Sequence, residues 1–195
     1  RAVVQQFDLE VRTFEPVTAV ERQSPDGFVV RTVRGGDPQE HFATHVVLAM
    51  GDMHAPRMLH VPGEDLPHVS HYFDEPHLYF RRRLLIVGGG NSAVEAALRC
   101  YRAGASVSLS YRRDAFDGRS IKYWLLPELE SLIKHGRIGF HPRTTPTRIT
   151  ASHVVLAPTA EDGGPAIGAE RFVPADFVLL LTGYALSLPS LIGLL

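Results

Sequence analysis

Three observations predict an α/β fold built on a parallel sheet. Apolar runs at Arg83–Val87, Ser106–Tyr111 and Phe177–Leu181 read as strands buried on both faces. Between the first two, Asn91–Ala103 carries helical spacing and many small residues. A glycine triplet, Gly88-Gly89-Gly90, joins that first strand to that helix. The first 50 or so residues alternate with period two instead, broken by turn residues, and predict an antiparallel meander.

The meander is expected to open with Leu9-Glu10-Val11-Arg12-Thr13-Phe14 and to continue through Val17 to Arg22. Ser24-Pro25-Asp26-Gly27 turns the chain into Phe28–Val33, and Gly35-Gly36-Asp37-Pro38 turns it again. His45–Met50 is then a continuous apolar run, expected as one buried strand ending at Gly51. Residues 52–80 are rich in Pro and His and read as a packed linker, because Tyr72, Phe73, Tyr79 and Phe80 are too apolar for a tether. After the Gly-turn helix, Gly104-Ala105 is a stop. Trp124–His135 predicts a second helix, with Pro127 near its first turn and Gly136 past its end. Ile138–His141 and Val154–Ala157 predict strands, with Glu161-Asp162-Gly163-Gly164-Pro165 as a hairpin loop. Phe177–Leu181 runs into Thr182-Gly183-Tyr184.

Composition excludes several classes. Twenty Lys+Arg against 21 Asp+Glu give a net charge of −1, so no global basic field points to nucleic acid or an anionic membrane. The single cysteine, Cys100, rules out an intramolecular disulfide, a Cys-x-x-Cys pair and a multi-cysteine zinc site. No apolar run approaches the roughly 20 residues that span a bilayer. The chain opens Arg1-Ala2-Val3-Val4 without an apolar signal segment, so a cytoplasmic location is expected.

The chemistry is local. Gly88-x-Gly90-x-x-Ala93 sits after a strand and opens a helix, the context in which this pattern binds a dinucleotide. The first Gly permits the tight turn, the second admits a pyrophosphate, and Ala93 lets helix and strand pack closely. Gly89, Asn91 and Ser92 complete the cradle, and the helix N-terminus faces the diphosphate. A site selective for NAD places a carboxylate at the end of the next strand. Here that strand ends Ser110-Tyr111-Arg112-Arg113, and guanidinium groups suit a 2′-phosphate, so NADPH is expected. Arg119 could close over the same phosphate, and Asp114 could neutralise one arginine. Glu95 either orients the nicotinamide end or forms the exposed side of an amphipathic helix.

These residues resemble a family. Gly88-Gly89-Gly90-Asn91-Ser92-Ala93-x-Glu95 followed by Tyr111-Arg112-Arg113-Asp114 is similar to the NADPH half of thioredoxin-reductase-like flavoproteins. Val69-Ser70-His71-Tyr72-Phe73, Ile121–Pro127 and Leu181-Thr182-Gly183-Tyr184 narrow the resemblance to the YpdA family of bacillithiol disulfide reductases. It implies a Rossmann-like FAD/NAD(P)-binding fold: a complete NADPH domain over residues 67–184, and a partial FAD domain over residues 1–66. That partial domain is the antiparallel meander and one buried strand, and residues 185–195 start the return to it.

By the same resemblance, Gly183 and Tyr184 border the nicotinamide or flavin edge, while Lys122 and Trp124 touch cofactor or substrate, or cap and pack the next helix. Val17, Met50, Gly51 and Asp52 would lie near FAD. The implied reaction passes hydride from NADPH to FAD and electrons on to a small-molecule disulfide. No residue of this chain is expected to be catalytic, because the family's Gly-Pro-Cys-Gly thiol turn would lie upstream of Arg1. The family's Gly-rich FAD turn and its C-terminal Gly-Asp segment also have no counterpart, and Ala185-Leu186-Ser187 stands where it has a Pro-Asp pair. The chain thus reads as the middle of a larger enzyme or a degraded copy of one, with self-association expected from the apolar segment 186–195 and an uncovered sheet.

Two other readings stay open: a flavin monooxygenase, whose linker signature is missing from Leu66–His71, and a non-catalytic NADP(H)-binding module. Cys100 lies near a helix C-terminus and reads as packing. His68 and His71 lack a third ligand at a recognisable spacing, so no metal site is expected.

Overall fold

The computed structural model describes residues 2–23, 27–49, 51 and 55–185. The expected turn at Ser24-Pro25-Asp26, the expected flavin contacts Met50 and Asp52, and the tail from Leu186 lie outside the described residues. The chain divides into two compact units, residues 1–52 with 186–195, and residues 53–185. The 66/67 division expected from sequence falls inside the second unit.

In the first unit a short helix α1 (Ala2–Gln6) precedes three strands, β1 (Val17–Gln23), β2 (Gly27–Arg34) and β3 (Asp37–Ala43), paired antiparallel in that order. Arg31 on the central strand pairs with Glu21 on β1 and, at 2.9 Å, with Glu40 on β3. Two expectations are corrected here. Residues 9–14 form no strand, and Phe14 sits at positive φ with its side chain exposed. The run from His45 to Ala49 forms no strand either, and Val47 and Leu48 are exposed. A strand apolar on both sides needs neighbours to cover it, and none pairs with this run among the described residues. The third strand is instead the polar segment Asp37–Ala43, whose register is set by the Gly35-Gly36 turn.

The second unit has three layers. Its centre is a five-stranded parallel sheet of β4 (Val69–Ser70), β5 (Arg83–Val87), β6 (Ser106–Tyr111), β7 (Gly139–Pro142) and β11 (Phe177–Leu180), in the order β4-β11-β5-β6-β7. On one face lie α2 (Asn91–Arg102), α3 (Leu126–Lys134) and a 3₁₀ turn (Pro76–Tyr79). On the other lies an antiparallel sheet of β8 (Thr144–Ile149), β9 (His153–Pro158) and β10 (Arg171–Pro174).

The pleat of β5 divides its side chains between the two faces. Leu84 and Ile86 enter the helical core, whereas Leu85 and Val87 enter the core shared with β9 and β11. This explains why the strand is apolar throughout. The small residues of α2 follow from the same geometry: Ala93, Ala96 and Ala97 are fully buried, and let the helix lie close to the sheet. Residues 55–66 also belong to this unit, with Leu59, Val61 and Leu66 packed on the second core. Among the described residues no helix is long and apolar enough to cross a membrane.

Candidate functional site

The strand order places β6 on one side of β5 and β11 on the other, so the carboxyl end of β5 is a topological switch point. A cavity of about 330 Å³ opens there. Its floor is the turn Gly88–Gly90, one wall is Tyr111 and Arg112 at the end of β6, and the other is Leu181–Tyr184 after β11. Backbone bonds fix the three loops: Gly88 N–H donates to Ser110 O at 3.0 Å, and Leu181 N–H to Val87 O at 2.8 Å. The strand-leading segment 55–57 closes the rim, because Arg57 N–H donates to Gly183 O at 3.0 Å and Thr182 Oγ1 donates to Arg57 O at 2.8 Å.

Two glycines have distinct jobs. Gly88 adopts φ +146°, and a Cβ there would overlap the Leu181 carbonyl oxygen and lie 3.2 Å from Ala93 Cβ. It is thus required by the fold itself. A Cβ on Gly90 would meet nothing within 4 Å. Gly90 is the N-cap of α2, offers no side-chain cap, and its carbonyl accepts the first helical bond, from Val94 at 3.1 Å. The N–H groups of Asn91, Ser92 and Ala93 therefore stand at an uncapped helix N-terminus that borders the cavity. Such an end, with room for a group where a Cβ would lie, fits a phosphate diester.

The electrostatics favour an anion. Arg57 and Arg112 border the cavity, and no carboxylate does so among the described residues. Asp114 does not neutralise Arg112, because it pairs with Arg143 at 2.5 Å.

The structure gathers some of the expected residues and separates others. Gly88, Gly89, Gly90, Asn91, Ser92, Ala93, Arg112, Gly183 and Tyr184 border the cavity. Arg113, Arg119, Glu95 and Lys122 do not. Arg119 is exposed and bound to Asp117 at 3.3 Å, which holds the Asp117 carboxyl below its ordinary range mainly through hydrogen bonds. Lys122 pairs with Glu95 at 3.3 Å beside Trp124, at a separate cavity of about 170 Å³. Its backbone N–H donates to Asn91 Oδ1 at 3.2 Å, so the Asn91 side chain ties the start of α2 to the next loop. Val17 and Gly51 lie in the first unit, and Gly51 has φ +70°. The described part of that unit contains no Gly-rich strand–turn–helix that would cradle a flavin diphosphate.

Sequence reasoning missed Arg57, His71, Thr144 and Thr145, which also line the cavity. Thr144 Oγ1 lies 2.9 Å from Ser110 Oγ in a buried contact that joins β6 to β8. The three serines of β6, Ser106, Ser108 and Ser110, are the available signal, since a strand with Ser at alternate positions must meet polar or closely packed neighbours. Among the described residues no group of three or more His, Cys, Asp or Glu is placed to hold a metal ion. Cys100 is buried in the helical core, and burial pushes its thiol up to about 12.

A Gly-rich strand–turn–helix with its N-terminus at a parallel-sheet switch point defines a dinucleotide-binding protein of the Rossmann-like class. Comparison with known proteins agrees. The chain belongs to the pyridine nucleotide-disulphide oxidoreductase family, which matches residues 1–193. NADPH and FAD are the cofactors that this membership implies.

Among curated relatives, the bacilliredoxin reductase Bdr of Bacillus subtilis is 35% identical over 159 residues, covering 80% of this chain and 45% of its own. A ferredoxin–NADP reductase of Ignicoccus hospitalis is 26% identical over 186 residues, 90% of this chain and 56% of its own. The bacillithiol disulfide reductase Bdr (YpdA) from Bacillus cereus superposes with a TM-score of 0.81 at 36% identity, covering 94% of this chain and 54% of that one. The chain thus spans about half the length of the relatives it matches.

Proposed function

We propose that residues 53–185 carry the NADPH-binding domain of a flavin-dependent disulfide reductase, and that residues 1–52 belong to its FAD domain. In this reading the Gly88–Gly90 backbone and the α2 N-terminus hold the diphosphate. Arg112 takes the 2′-phosphate with forked, charge-assisted hydrogen bonds. Gly183 and Tyr184 border the pyridine end, and Val17 and Gly51 lie toward the flavin. The bound cofactors supply hydride transfer from nicotinamide to flavin and onward reduction of the disulfide. The chain's own part is to bind, orient and select the nucleotide. The substrate proposed for the whole protein is a low-molecular-weight disulfide of the bacillithiol type, by its likeness to the two Bdr proteins.

The observation that carries the reading is one cavity with the Gly turn at its floor, an arginine at the end of β6, and no carboxylate on its lining among the described residues. Calorimetric titration with NADPH and NADH tests it. NADPH is expected to bind more tightly, and Arg112→Ala to remove the preference. Equal, Arg112-independent binding of both would overturn NADPH selection. In the full-length protein, reduction of bacillithiol disulfide driven by NADPH tests the substrate, and inertness toward it with activity on another acceptor would replace it.

A further inference from the structure

The wall of the cavity opposite Arg112 carries a residue that the reading above leaves unused. His71 follows β4, a two-residue strand seated against β11 through the pairs Val69 with Val178 and Ser70 with Leu179. Its side chain borders the cavity and is 12% exposed. Both ring nitrogens are buried, and neither makes a hydrogen bond. Nε2 stands 3.4 Å from Glu64 Oε1, within ion-pair distance but out of hydrogen-bond alignment. Glu64 is itself buried and held rigidly, accepting from Leu59 N–H at 2.8 Å and Val61 N–H at 3.3 Å. Buried polar nitrogens are almost always satisfied, so an imidazole beside a carboxylate at the cavity lining, with no hydrogen bond of its own, is open to a partner in the ligand.

The sheet order says which part of the ligand that is. Arg112 follows β6, the Gly turn follows β5, and His71 follows β4, with β11 lying between β5 and β4. A dinucleotide whose diphosphate lies on the turn and whose phosphorylated ribose lies at Arg112 sends its other half over β11. The group arriving there is a pyridine ring bearing a carboxamide, which both donates and accepts hydrogen bonds. With Nε2 turned to Glu64, Nδ1 is the ring nitrogen left for that carboxamide.

We propose that His71, oriented by Glu64, hydrogen-bonds the carboxamide of the pyridine nucleotide and fixes the orientation of its ring. This rests on the dinucleotide reading of the cavity.

Two probes separate the two claims. NADP⁺ carries the pyridine half, whereas adenosine 2′,5′-bisphosphate carries only the Arg112 half. Both are titrated calorimetrically into the 195-residue chain and its variants. His71→Ala is expected to weaken NADP⁺ binding by about tenfold while leaving the bisphosphate unchanged. His71→Gln, which keeps a donor and an acceptor, is expected to recover most of the loss. Arg112→Ala weakens both probes. Unchanged NADP⁺ affinity in His71→Ala overturns the assignment of His71 alone. Equal loss of both probes in both His71 variants, with a lowered thermal midpoint, assigns His71 to the fold and also overturns it. Binding of neither probe by the unmodified chain overturns the dinucleotide reading and this inference with it.

Discussion

Gly88 and Leu181 are pressed backbone to backbone where β5 and β11 end, and a Cβ on Gly88 would lie 3.1 Å from the Leu181 carbonyl carbon and overlap its oxygen. This contact sets the width of the cavity floor, since it holds the Gly turn against the Thr182-Gly183-Tyr184 loop. Gly90, two residues on, is the converse case, with open space where its Cβ would be.

The two glycines should therefore fail differently. Gly88→Ala combines a φ of +146° with a backbone overlap, and is expected to cost about 2 kcal/mol or more of stability. Gly90→Ala should leave the thermal midpoint within a few degrees and yet weaken NADPH binding, because its methyl group would fill the open space proposed for the diphosphate. Thermal unfolding and calorimetry on the same samples check this. A Gly90→Ala protein that binds NADPH normally would place the diphosphate elsewhere.

The neighbouring arginines should also separate. Arg112→Ala is expected to weaken NADPH binding by about 2 kcal/mol while leaving NADH nearly unchanged. Arg113→Ala and Arg119→Ala, whose side chains lie off the cavity, should change neither by much. The comparison needs one buffer at one salt concentration, because exposed guanidinium contacts weaken as salt rises.

Acid stability should report the pair Arg83–Asp176. Arg83 donates to Asp176 from its backbone and from its guanidinium, with the Nη2 contact at 2.5 Å, and holds the carboxyl at about 2 against an ordinary 3.8. A carboxyl depressed in the folded state stabilises the protein above its unfolded value and loses that contribution as pH falls toward the folded value. The window is thus from about pH 4 down to about pH 2. Solvent screening keeps the contribution small, since the arginine is half exposed. Asp176→Asn should flatten the stability profile across that window in urea titrations followed by circular dichroism.

Cys100 should be silent in the folded chain. Burial alone holds its thiol near 12, against a smaller opposing effect of Arg99, so it stays protonated at pH 8. A coloured disulfide reagent is expected to react with it only in denaturant, or at the slow rate of local opening. One equivalent reacting within seconds in the native state would contradict the burial and would make Cys100 a redox candidate.

Much of the second unit was legible because its signals are local. The strand Arg83–Val87, the glycine turn, the helix from Asn91 and the strand to Tyr111 each have a period or a punctuating residue that covers only a few neighbours. The turn also implied the site, because a Gly-rich strand-to-helix junction has few uses. The errors fell where pairing outweighs pattern. Asp37–Ala43 is a polar strand held by a hairpin turn, while the more apolar run at His45–Leu48 is left exposed. Leu9–Phe14 alternates with strand period, yet pairs with nothing among the described residues.

Sequence by itself determined the β5–turn–α2–β6 unit, its glycine turn and the basic residues after β6, all of which lie within about 30 positions of one another. Tertiary structure alone decided which arginine borders the cavity, that Glu95 and Lys122 pair away from it, and that His71 and Arg57 reach it. The physical reason is sequence distance. β4 is two residues long and has no pattern of its own, and it is placed by hydrogen bonds to β11, more than 100 residues later. Local periodicity cannot encode such a contact; only the assembled sheet brings those side chains to the ends of its strands.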